Sequence, residues 1–261
     1  ILIFLLILLN FSTVCADDVD NEGEFENTVE VTASSVTALP KTNSRRYIVY
    51  DRISKSMIIG KNEDVKSAMA STTKIMTTIV ILEKSDLDET VTVSAKAGGT
   101  GGSRLGLKRG DKASVKDLLY GLMLRSGNDA AVALAEHVGG SVKEFAELMN
   151  EKAIELGLTN THFVTPHGLD DANHYTTALE LAKLTDYAMD NETFAKIVGT
   201  KSTTIYINNQ PRQINNTNEL LGVLNGVVGV KTGFTNNAGR CLVTETKRNN
   251  MAVSYTHLRA H

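Results

Sequence analysis

The chain has 261 residues, of which 27 are Lys or Arg and 30 are Asp or Glu, so its formal net charge is −3. Its basic residues are dispersed and it contains no Trp, a composition that gives no support to nucleic-acid binding. From Arg45 onward, about 210 residues read as one globular domain, long enough to bury a sizeable core.

The first sixteen residues are typical of a secretory signal peptide. Residues 1–9 form an unbroken apolar run, and Val14-Cys15-Ala16 supplies a Val-x-Ala cleavage site. A run of this length is well short of the roughly 20 apolar residues that span a bilayer. We therefore expect an exported protein that starts at Asp17 and acts at the outer face of the cytoplasmic membrane. An acylated Cys15 is the alternative, although Ser12-Thr13-Val14 lacks the residues that usually precede a lipoprotein cysteine. Because an initiator Met and a basic segment are missing, we expect residues 1–16 to be an incomplete signal peptide.

Residues 17–43 predict an acidic, disordered linker. Seven carboxylates and no Lys or Arg lie in residues 17–30, and such a run repels itself and buries little apolar surface. Removal of the signal peptide would leave Cys241 as the one cysteine, so no intrachain disulfide is expected. We interpret Cys241 as a small apolar residue of a strand.

The catalytic domain is expected to span residues 44–253 and to mix strands with helices. Residues 47–50 and 57–59 are short β-type runs that predict a hairpin, and apolar residues at helical spacing predict a helix that begins at Ser71. Helical patterns then cover 117–126, 130–138, 142–156 and 180–189, and strand patterns cover 203–208, 227–232 and 241–246. Strands at both ends of a helical middle imply an antiparallel sheet whose first and last strands meet.

Two residues of the run Ser71-Thr72-Thr73-Lys74 have the spacing of a nucleophile and its base. Ser71 and Lys74 are three apart on a predicted helix, so their side chains share a face. A serine hydroxyl is a poor nucleophile until a base takes its proton. Lys74 can be that base if its pKa falls far below about 10.4, and burial or a second cation such as Lys231 would lower it. Read without other motifs, Ser71 is a helix N-cap and Lys74 a solvated lysine.

Two further short motifs follow in the chain. Ser126-Gly127-Asn128 comes at the end of an apolar helical run, and by itself it also reads as a turn between two helices. Lys231-Thr232-Gly233 ends a β-type run, and an edge strand there can pair with an extended substrate backbone. A side chain at Gly233 would block that approach.

The three motifs in this order, about 50 and then about 100 residues apart, form the pattern of a serine acyltransferase. Over residues 45–251 the chain resembles the penicillin-binding, serine-type D-alanyl-D-alanine carboxypeptidases. The resemblance implies an α+β fold of the β-lactamase and transpeptidase type, with an antiparallel sheet flanked by helices and a helical lobe. It also implies removal of the terminal D-alanine from peptidoglycan stem peptides through an acyl-enzyme, covalent inhibition by β-lactams, and no cofactor or metal.

The resemblance also assigns a role to each motif residue. Ser71 is the nucleophile and Lys74 the base. Ser126 relays the proton between Lys74, Lys231 and the leaving D-alanine nitrogen. Asn128 hydrogen-bonds to Lys74 and to the peptide carbonyl of the substrate, and Lys231 and Thr232 hold the terminal carboxylate. Gly233 keeps the strand edge open for the substrate backbone. The N–H groups of Ser71 and Phe234 stabilise the oxyanion.

Two features near these motifs receive a supporting role. The glycine-rich residues 98–103 fit neither a Walker loop nor a dinucleotide fingerprint and are expected to rim the cleft. The histidines lack zinc-binding spacing. His162 and His167 match a loop that lies beside the active site in the family, where hydrogen bonds that shape the loop are expected rather than catalysis.

The last residues depart from the resemblance. Met251-Ala252-Val253 begins another apolar strand, but residues 254–261 are polar and are expected to break it, as a non-native tail would. The C-terminal domain and amphipathic membrane anchor of the family are not in the sequence, so membrane association of a full-length parent is expected through that missing segment.

Three other functions compete with a carboxypeptidase. A class A β-lactamase shares the three motifs but requires a Glu-x-x-x-Asn loop, and residues 129–230 contain no such pattern. A penicillin sensor or wall-binding protein would keep Ser71 without turnover. A zinc D,D-peptidase would require metal ligands at a spacing that this sequence does not contain.

Overall fold

The computed structural model describes residues 42–260. The predicted signal peptide, residues 1–16, and nearly all of the predicted linker, residues 17–43, lie outside the described residues. Among the residues that are described, no helix is both long enough and apolar enough to cross a bilayer.

The described chain places a helical middle between two groups of strands, as the sequence predicts. The strands are β1 (Ser44–Asp51), β2 (Ser56–Lys61), β3 (Thr90–Thr92), β4 (Lys112–Ser114), β5 (Ser202–Ile207), β6 (Gln210–Asn215), β7 (Val227–Thr235), β8 (Gly239–Arg248) and β9 (Met251–Ala260). The helices are α1 (Lys74–Lys84), α2 (Ala95–Gly99), α3 (Val115–Leu124), α4 (Asn128–Gly139), α5 (Val142–Glu155), α6 (Ala178–Met189) and α7 (Glu192–Val198). One 3-10 turn, Ala70–Thr73, runs directly into α1.

A five-stranded sheet forms one layer, in the order β2-β1-β9-β8-β7. Each neighbouring pair is antiparallel, and the hairpin predicted from residues 47–50 and 57–59 is the β1–β2 pair. Strand β1 pairs with β9 from Ser44 opposite Ala260 to Asp51 opposite Val253. The predicted meeting of the first and last strands is therefore confirmed.

The expectation that residues 254–261 break the last strand is wrong. Strand β9 continues to Ala260 and is hydrogen-bonded on both sides, to β1 and to β8. Every second residue from Ser254 is buried, and Leu258 is fully buried. Alternating burial with β-branched and aromatic residues suits a strand, and two open neighbouring edges supply backbone partners to a polar sequence as readily as to an apolar one.

Helices α3 and α6 begin two residues earlier than their apolar patterns indicate because capping residues set their first turns. Ser114 accepts a hydrogen bond from Asp117 N, so α3 begins at Val115 rather than at residue 117. Thr177 accepts from Glu180 N, so α6 begins at Ala178 rather than at residue 180. A side-chain oxygen at the N-cap satisfies an N–H that has no partner within the helix.

Helix α1 lies in the centre of the core and carries the site on its first turn. Ile75, Met76 and Ile79 are at most 1% exposed. Thr77 and Thr78, on its other faces, are also fully buried. Their hydroxyls donate to Pro166 O and Lys74 O at 2.7 and 2.8 Å. The first two turns of α1 are thus buried on every face, and this packing fixes the direction of the residues at its start.

A buried ion network joins the β1–β2 hairpin to α6 and β8. The guanidinium of Arg52 lies 2.8 Å from Asp186, 2.6 Å from Asp190 and 3.0 Å from Glu245. Glu245 has no exposed surface. Burial raises the pKa of its carboxyl, and the positive charge of Arg52 opposes that rise. Arg52 is thus the main counterion of a carboxylate inside the protein.

Candidate active site

The nucleophile motif spans a change of helix type. Ser71 lies in the 3-10 turn Ala70–Thr73, and Lys74 is the first residue of α1. The spacing nevertheless brings the side chains together as predicted, with Lys74 Nζ 2.8 Å from Ser71 Oγ. The turn is sharp, because Ala70 has a left-handed φ of 49° although it is not a glycine.

The Lys74 amine is fully buried and has three partners. Its Nζ lies 2.8 Å from Ser71 Oγ, 2.8 Å from Asn128 Oδ1 and 2.9 Å from the carbonyl oxygen of His167. The last two oxygens can only accept hydrogen bonds, and a neutral amine has two N–H groups and one lone pair. When both N–H groups point to Asn128 and His167, the lone pair is left for the Ser71 hydroxyl.

The electrostatics favour the neutral amine. Burial lowers the pKa of Lys74 well below its ordinary value, and the positive charge of Lys231 lowers it further, while Asp129 acts in the opposite direction. Desolvation penalises the charged form of a lysine. Contacts and electrostatics therefore describe a Lys74 that is able to take a proton from Ser71.

The second motif approaches from the junction of α3 and α4. Ser126 has a φ of 57° and is 7% exposed, and Asn128 is the first residue of α4. Asn128 Nδ2 donates to Gly101 O at 2.8 Å, and Asn128 N donates to Ser103 O at 2.8 Å. The glycine-rich residues 98–103 thus border the site, as the sequence analysis expects.

Asp129 supports this junction, a role that the sequence analysis does not identify. Its carboxylate is fully buried and accepts hydrogen bonds from the backbone N–H groups of Leu105, Gly106 and Leu107 at 2.8 to 2.9 Å. An acidic residue in the first turn of a helix is an ordinary sequence signal. Its partners are more than twenty residues away in the chain, so only the tertiary structure reveals them.

The third motif lies on β7, at the edge of the sheet. Lys231 is 1% exposed, its Nζ donates to Thr232 O at 2.9 Å, and burial lowers its pKa to about 7. The Thr232 and Thr217 hydroxyl oxygens are 2.9 Å apart. Lys231 and Thr232 are therefore at an open strand edge, where the prediction places the substrate carboxylate.

Gly233 and Phe234 complete the motif residues. A Cβ at Gly233 would lie 3.0 Å from Ser71 N and 3.3 Å from Thr72 N. The close packing of β7 on the nucleophile turn thus gives a reason for the glycine in addition to the passage of substrate. The side chain of Phe234 is 65% exposed, and the next residue, Thr235, donates to Asp170 Oδ1 at 2.6 Å.

The two histidines of the adjoining loop differ in their relation to Lys74. His167 contributes its carbonyl oxygen to Lys74, and burial, reinforced by the Lys74 charge, lowers the pKa of its ring to about 3. His162 is more exposed and its ring contacts Asn173 O and Tyr175. Across residues 42–260, no group of three His, Cys, Asp or Glu side chains is arranged to hold a metal ion.

Gly168 explains how this loop reaches the nucleophile turn. It has a φ of 82°, and a Cβ there would lie 1.9 Å from Ala70 O and 2.5 Å from Thr73 Oγ1. Any other residue would push the loop away from the turn. A single sequence does not reveal this contact between two distant segments.

Comparison with known proteins gives one family. The family model of peptidase family S11, D-alanyl-D-alanine carboxypeptidase, matches residues 31–261. The chain is 38% identical over 210 residues to the D-alanyl-D-alanine carboxypeptidase DacF of Bacillus subtilis, which covers 78% of this chain and 54% of that protein. It is 40% identical over 216 residues to the D-alanyl-D-alanine carboxypeptidase of Streptomyces sp. strain K15, covering 76% of this chain and 74% of that one.

Solved structures agree with this relationship. The Streptomyces K15 DD-transpeptidase has a TM-score of 0.82 at 35% identity, over 85% of this chain and 92% of that chain. The D-alanyl-D-alanine carboxypeptidase of Mycobacterium tuberculosis H37Rv has a TM-score of 0.83 at 33% identity, over 88% of this chain and 87% of that chain. The predicted transpeptidase-like α+β fold is confirmed. The chain spans about half the length of the first curated relatives it matches, and it belongs to the D-alanyl-D-alanine carboxypeptidase family, peptidase family S11.

Proposed function

We propose that the protein is a serine D,D-carboxypeptidase that removes the terminal D-alanine from peptidoglycan stem peptides through an acyl-enzyme on Ser71. One observation carries the proposal: Lys74 Nζ is buried and in contact with Ser71 Oγ, Asn128 Oδ1 and His167 O. That arrangement makes a base from a lysine without any histidine or carboxylate. The names of the relatives supply the reaction that such a serine performs.

Acylation follows from these contacts. The Ser71 proton passes to the Lys74 lone pair while Oγ attacks the carbonyl carbon of the penultimate D-alanine. The carbonyl oxygen becomes an oxyanion, for which the N–H groups of Ser71 and Phe234 are the candidate donors. Collapse of the intermediate breaks the C–N bond, and the leaving amine takes a proton, for which Ser126 is the candidate relay. Free D-alanine and an ester on Ser71 result.

Recognition of the free C-terminus is assigned to β7. The substrate backbone would lie along its open edge, with the terminal carboxylate near Lys231 and the Thr232 and Thr217 hydroxyls. Lys231 and Lys74 are both buried, and neither has a carboxylate among its hydrogen-bond partners in the described residues. Because Lys74 is the neutral base, Lys231 is the cation that attracts an anionic substrate, and it has no carboxylate partner of its own to compete for that charge.

The rate at which the ester on Ser71 is hydrolysed decides whether a β-lactam inhibits the enzyme or is degraded by it. A β-lactam carries a reactive amide and a carboxylate, so it would acylate Ser71 in the same way. Class A β-lactamases release the β-lactam adduct rapidly because a carboxylate activates the attacking water. Asp129 is unsuited to this role, because its oxygens already accept three backbone hydrogen bonds from residues 105–107. Lasting inhibition is therefore proposed rather than β-lactamase activity.

Water and an amine are alternative acceptors for the acyl group. The relatives include proteins named carboxypeptidase and a structure named DD-transpeptidase. Both outcomes share the acyl-enzyme and differ only in the group that attacks it. We propose hydrolysis as the main outcome. We further propose that the reaction takes place at the outer face of the cytoplasmic membrane, where peptidoglycan is made, because the apolar residues 1–9 would direct the chain there.

The direct test is release of D-alanine from a peptide that ends in D-Ala-D-Ala. The wild-type chain should release one D-alanine per peptide, and addition of glycine should show whether an amine competes with water. Intact-mass spectrometry after exposure to penicillin should show a single adduct in the wild type and none in Ser71→Ala. An adduct that persists in Ser71→Ala would rule out Ser71 as the nucleophile, and penicillin binding without D-alanine release would favour a sensor.

A further inference from the structure

A chain of buried hydrogen bonds lies directly behind the nucleophile. His174, just before α6, is 3% exposed. Its Nε2 is 2.8 Å from Thr73 Oγ1, and Thr73 Oγ1 is 2.8 Å from Ala70 O. On the other side of the ring, Val164 N is 2.9 Å from Nδ1. The chain therefore runs from Val164 to Ala70, the residue before Ser71.

One arrangement of protons satisfies every member of this chain. Ala70 O can only accept, so the Thr73 hydroxyl donates to it. The Thr73 oxygen then accepts from the Nε2–H of His174, and the unprotonated Nδ1 accepts from the Val164 N–H. Burial lowers the pKa of His174 to about 4, which is consistent with the neutral ring that this arrangement requires.

Both ends of the chain reach groups that align the reacting atoms. At one end, Thr73 holds Ala70 in its left-handed conformation, with φ at 49°, and so sets the direction of Ser71. At the other end, Val164 lies three residues before His167, whose carbonyl oxygen is 2.9 Å from Lys74 Nζ. The His174 ring itself is not a hydrogen-bond partner of Ser71 or Lys74 in the described residues.

We propose that His174 is a positioning residue for acylation. Through Thr73 it fixes the backbone before Ser71, and through Val164 it fixes the carbonyl of His167 that accepts a hydrogen bond from Lys74. The inference rests on the proposed function, because it concerns how that nucleophile and base are aligned. A loss of alignment affects the rate of the chemical step more than it affects binding, since the substrate carboxylate is read on β7.

Thr73 provides the cleanest variants. Thr73→Val has nearly the same shape and lacks the hydroxyl, whereas Thr73→Ser keeps the hydroxyl. Thr185→Val is a matched control, because Thr185 is also fully buried and its hydroxyl donates to Leu181 O at 2.7 Å within α6. His174→Asn is the second test. The Oδ1 of the asparagine can replace the histidine Nδ1 as the acceptor for the Val164 N–H, whereas the Nε2–H that donates to Thr73 is lost.

The measurement is rapid-mixing acylation by benzylpenicillin across a concentration series, with a melting curve for each full-length variant. A misplacement near 1 Å costs roughly 100-fold in rate. We expect Thr73→Val and His174→Asn to lower the limiting acylation rate roughly 10- to 100-fold while the half-saturating concentration changes less than about threefold. Thr73→Ser and Thr185→Val should stay within about threefold of the wild type in both quantities.

The outcomes separate this inference from the proposed function. A wild-type chain that benzylpenicillin does not acylate would overturn the proposed function, and the positioning role with it. If the wild type is acylated and folded Thr73→Val reacts equally fast, only the role of His174 is overturned. The same follows if the loss appears only in the half-saturating concentration, or if Thr185→Val loses as much as Thr73→Val. If Thr73→Val does not fold, His174→Asn decides by the same criteria.

Discussion

The protonation of two buried lysines is the central issue at the scale of single residues. Lys74 has two partners that can only accept hydrogen bonds, Asn128 Oδ1 and His167 O, which matches the two N–H groups of a neutral amine, and Ser71 Oγ is its third partner. Lys231 is also buried, and its pKa of about 7 keeps part of its population charged near neutrality. One lysine is thus suited to accept a proton and the other to attract an anion.

Lys74→Arg tests the first of these roles. An arginine keeps much of the bulk of Lys74 but stays protonated near neutral pH, so it cannot take the proton of Ser71. General-base catalysis typically contributes about 10²–10⁴-fold, and acylation by penicillin should fall by at least the lower figure. Stopped-flow or quenched-flow labelling measures it, and equal rates in the wild type and the variant would remove Lys74 from the role of base.

Lys231→Ala tests the second role. Loss of a hydrogen bond to a charged group costs about 1.5–3 kcal/mol, or roughly 10- to 150-fold in kcat/KM, and more if proton transfer also suffers. An amidated D-Ala-D-Ala peptide lacks the negative charge, so it should be a poor substrate and should be much less sensitive to the substitution. Wild type and variant are compared on both peptides. Independent, multiplicative losses would show that Lys231 does not bind the carboxylate, and Arg240, opposite Phe234 on β8, would be examined next.

The pH dependence follows from the pKa of Lys231. Its value is lowered to about 7 in the folded protein, so Lys231 is charged below that pH and neutral above it. For the free-acid peptide, kcat/KM should therefore decline as the pH rises through about 7. The amidated peptide should lack this decline. A free-acid profile that stays flat up to pH values well above 7 would contradict the assignment.

At the scale of elements, β9 pairs its backbone on both sides but leaves three of its polar side-chain atoms without a hydrogen-bond partner among the described residues. These atoms are Ser254 Oγ, Thr256 Oγ1 and His257 Nδ1, which are buried and have no hydrogen-bond partner within residues 42–260. A buried polar group that is left unpaired costs about 1–3 kcal/mol. The strand forms despite this cost because it completes the sheet between β1 and β8.

Thr256→Val should therefore stabilise the protein. The substitution keeps the shape and removes an unpaired hydroxyl, so the free energy of unfolding should rise by about 1 kcal/mol or more. Thr244→Val is the matched control on β8, since the Thr244 hydroxyl donates to Gly229 O at 2.9 Å, and it should destabilise by about 1 kcal/mol. Denaturant unfolding of both variants decides. A destabilised Thr256→Val would mean that the hydroxyl has a partner, such as a water molecule.

Local patterns predict much of this level of structure, and tertiary contacts account for the rest. The spacing of Ser71 and Lys74 predicts their contact because it depends only on a helical turn. The starts of α3 and α6 are wrong by two residues because Ser114 and Thr177 cap them. The contacts of Asp129 with residues 105–107 link distant segments, which a single sequence does not bring together. Strand β9 is missed because its burial comes from its neighbours rather than from its composition.

At the scale of the whole molecule, Arg52 joins three parts of the fold. It contacts Asp186 and Asp190 on or after α6 and Glu245 on β8, while belonging to the turn that follows β1. Because Glu245 is fully buried, Arg52 compensates a charge that water cannot reach. The network therefore joins the β1–β2 hairpin, helix α6 and strand β8.

Arg52→Met should be strongly destabilising. Breaking a buried ion pair by removal of one partner typically costs about 3–5 kcal/mol, whereas Lys55→Met, which removes a half-exposed partner of Asp186, should cost about 1 kcal/mol or less. The loss in Arg52→Met should be largest near neutral pH and should shrink as the pH falls through the raised pKa of Glu245, because a protonated carboxyl needs no counterion. Thermal unfolding at several pH values measures this, and equal losses in the two variants would refute the central role of Arg52.

The position of β9 has a consequence for the order in which the protein can assemble. Strand β1 finds this partner roughly 200 residues later in the chain, and such distant pairings form slowly. During synthesis the β1–β2 hairpin and the β7–β8 hairpin are both complete before β9 exists, yet neither can join the other without it. The two halves of the sheet must therefore wait, with facing edges unpaired, until residue 260 has been added.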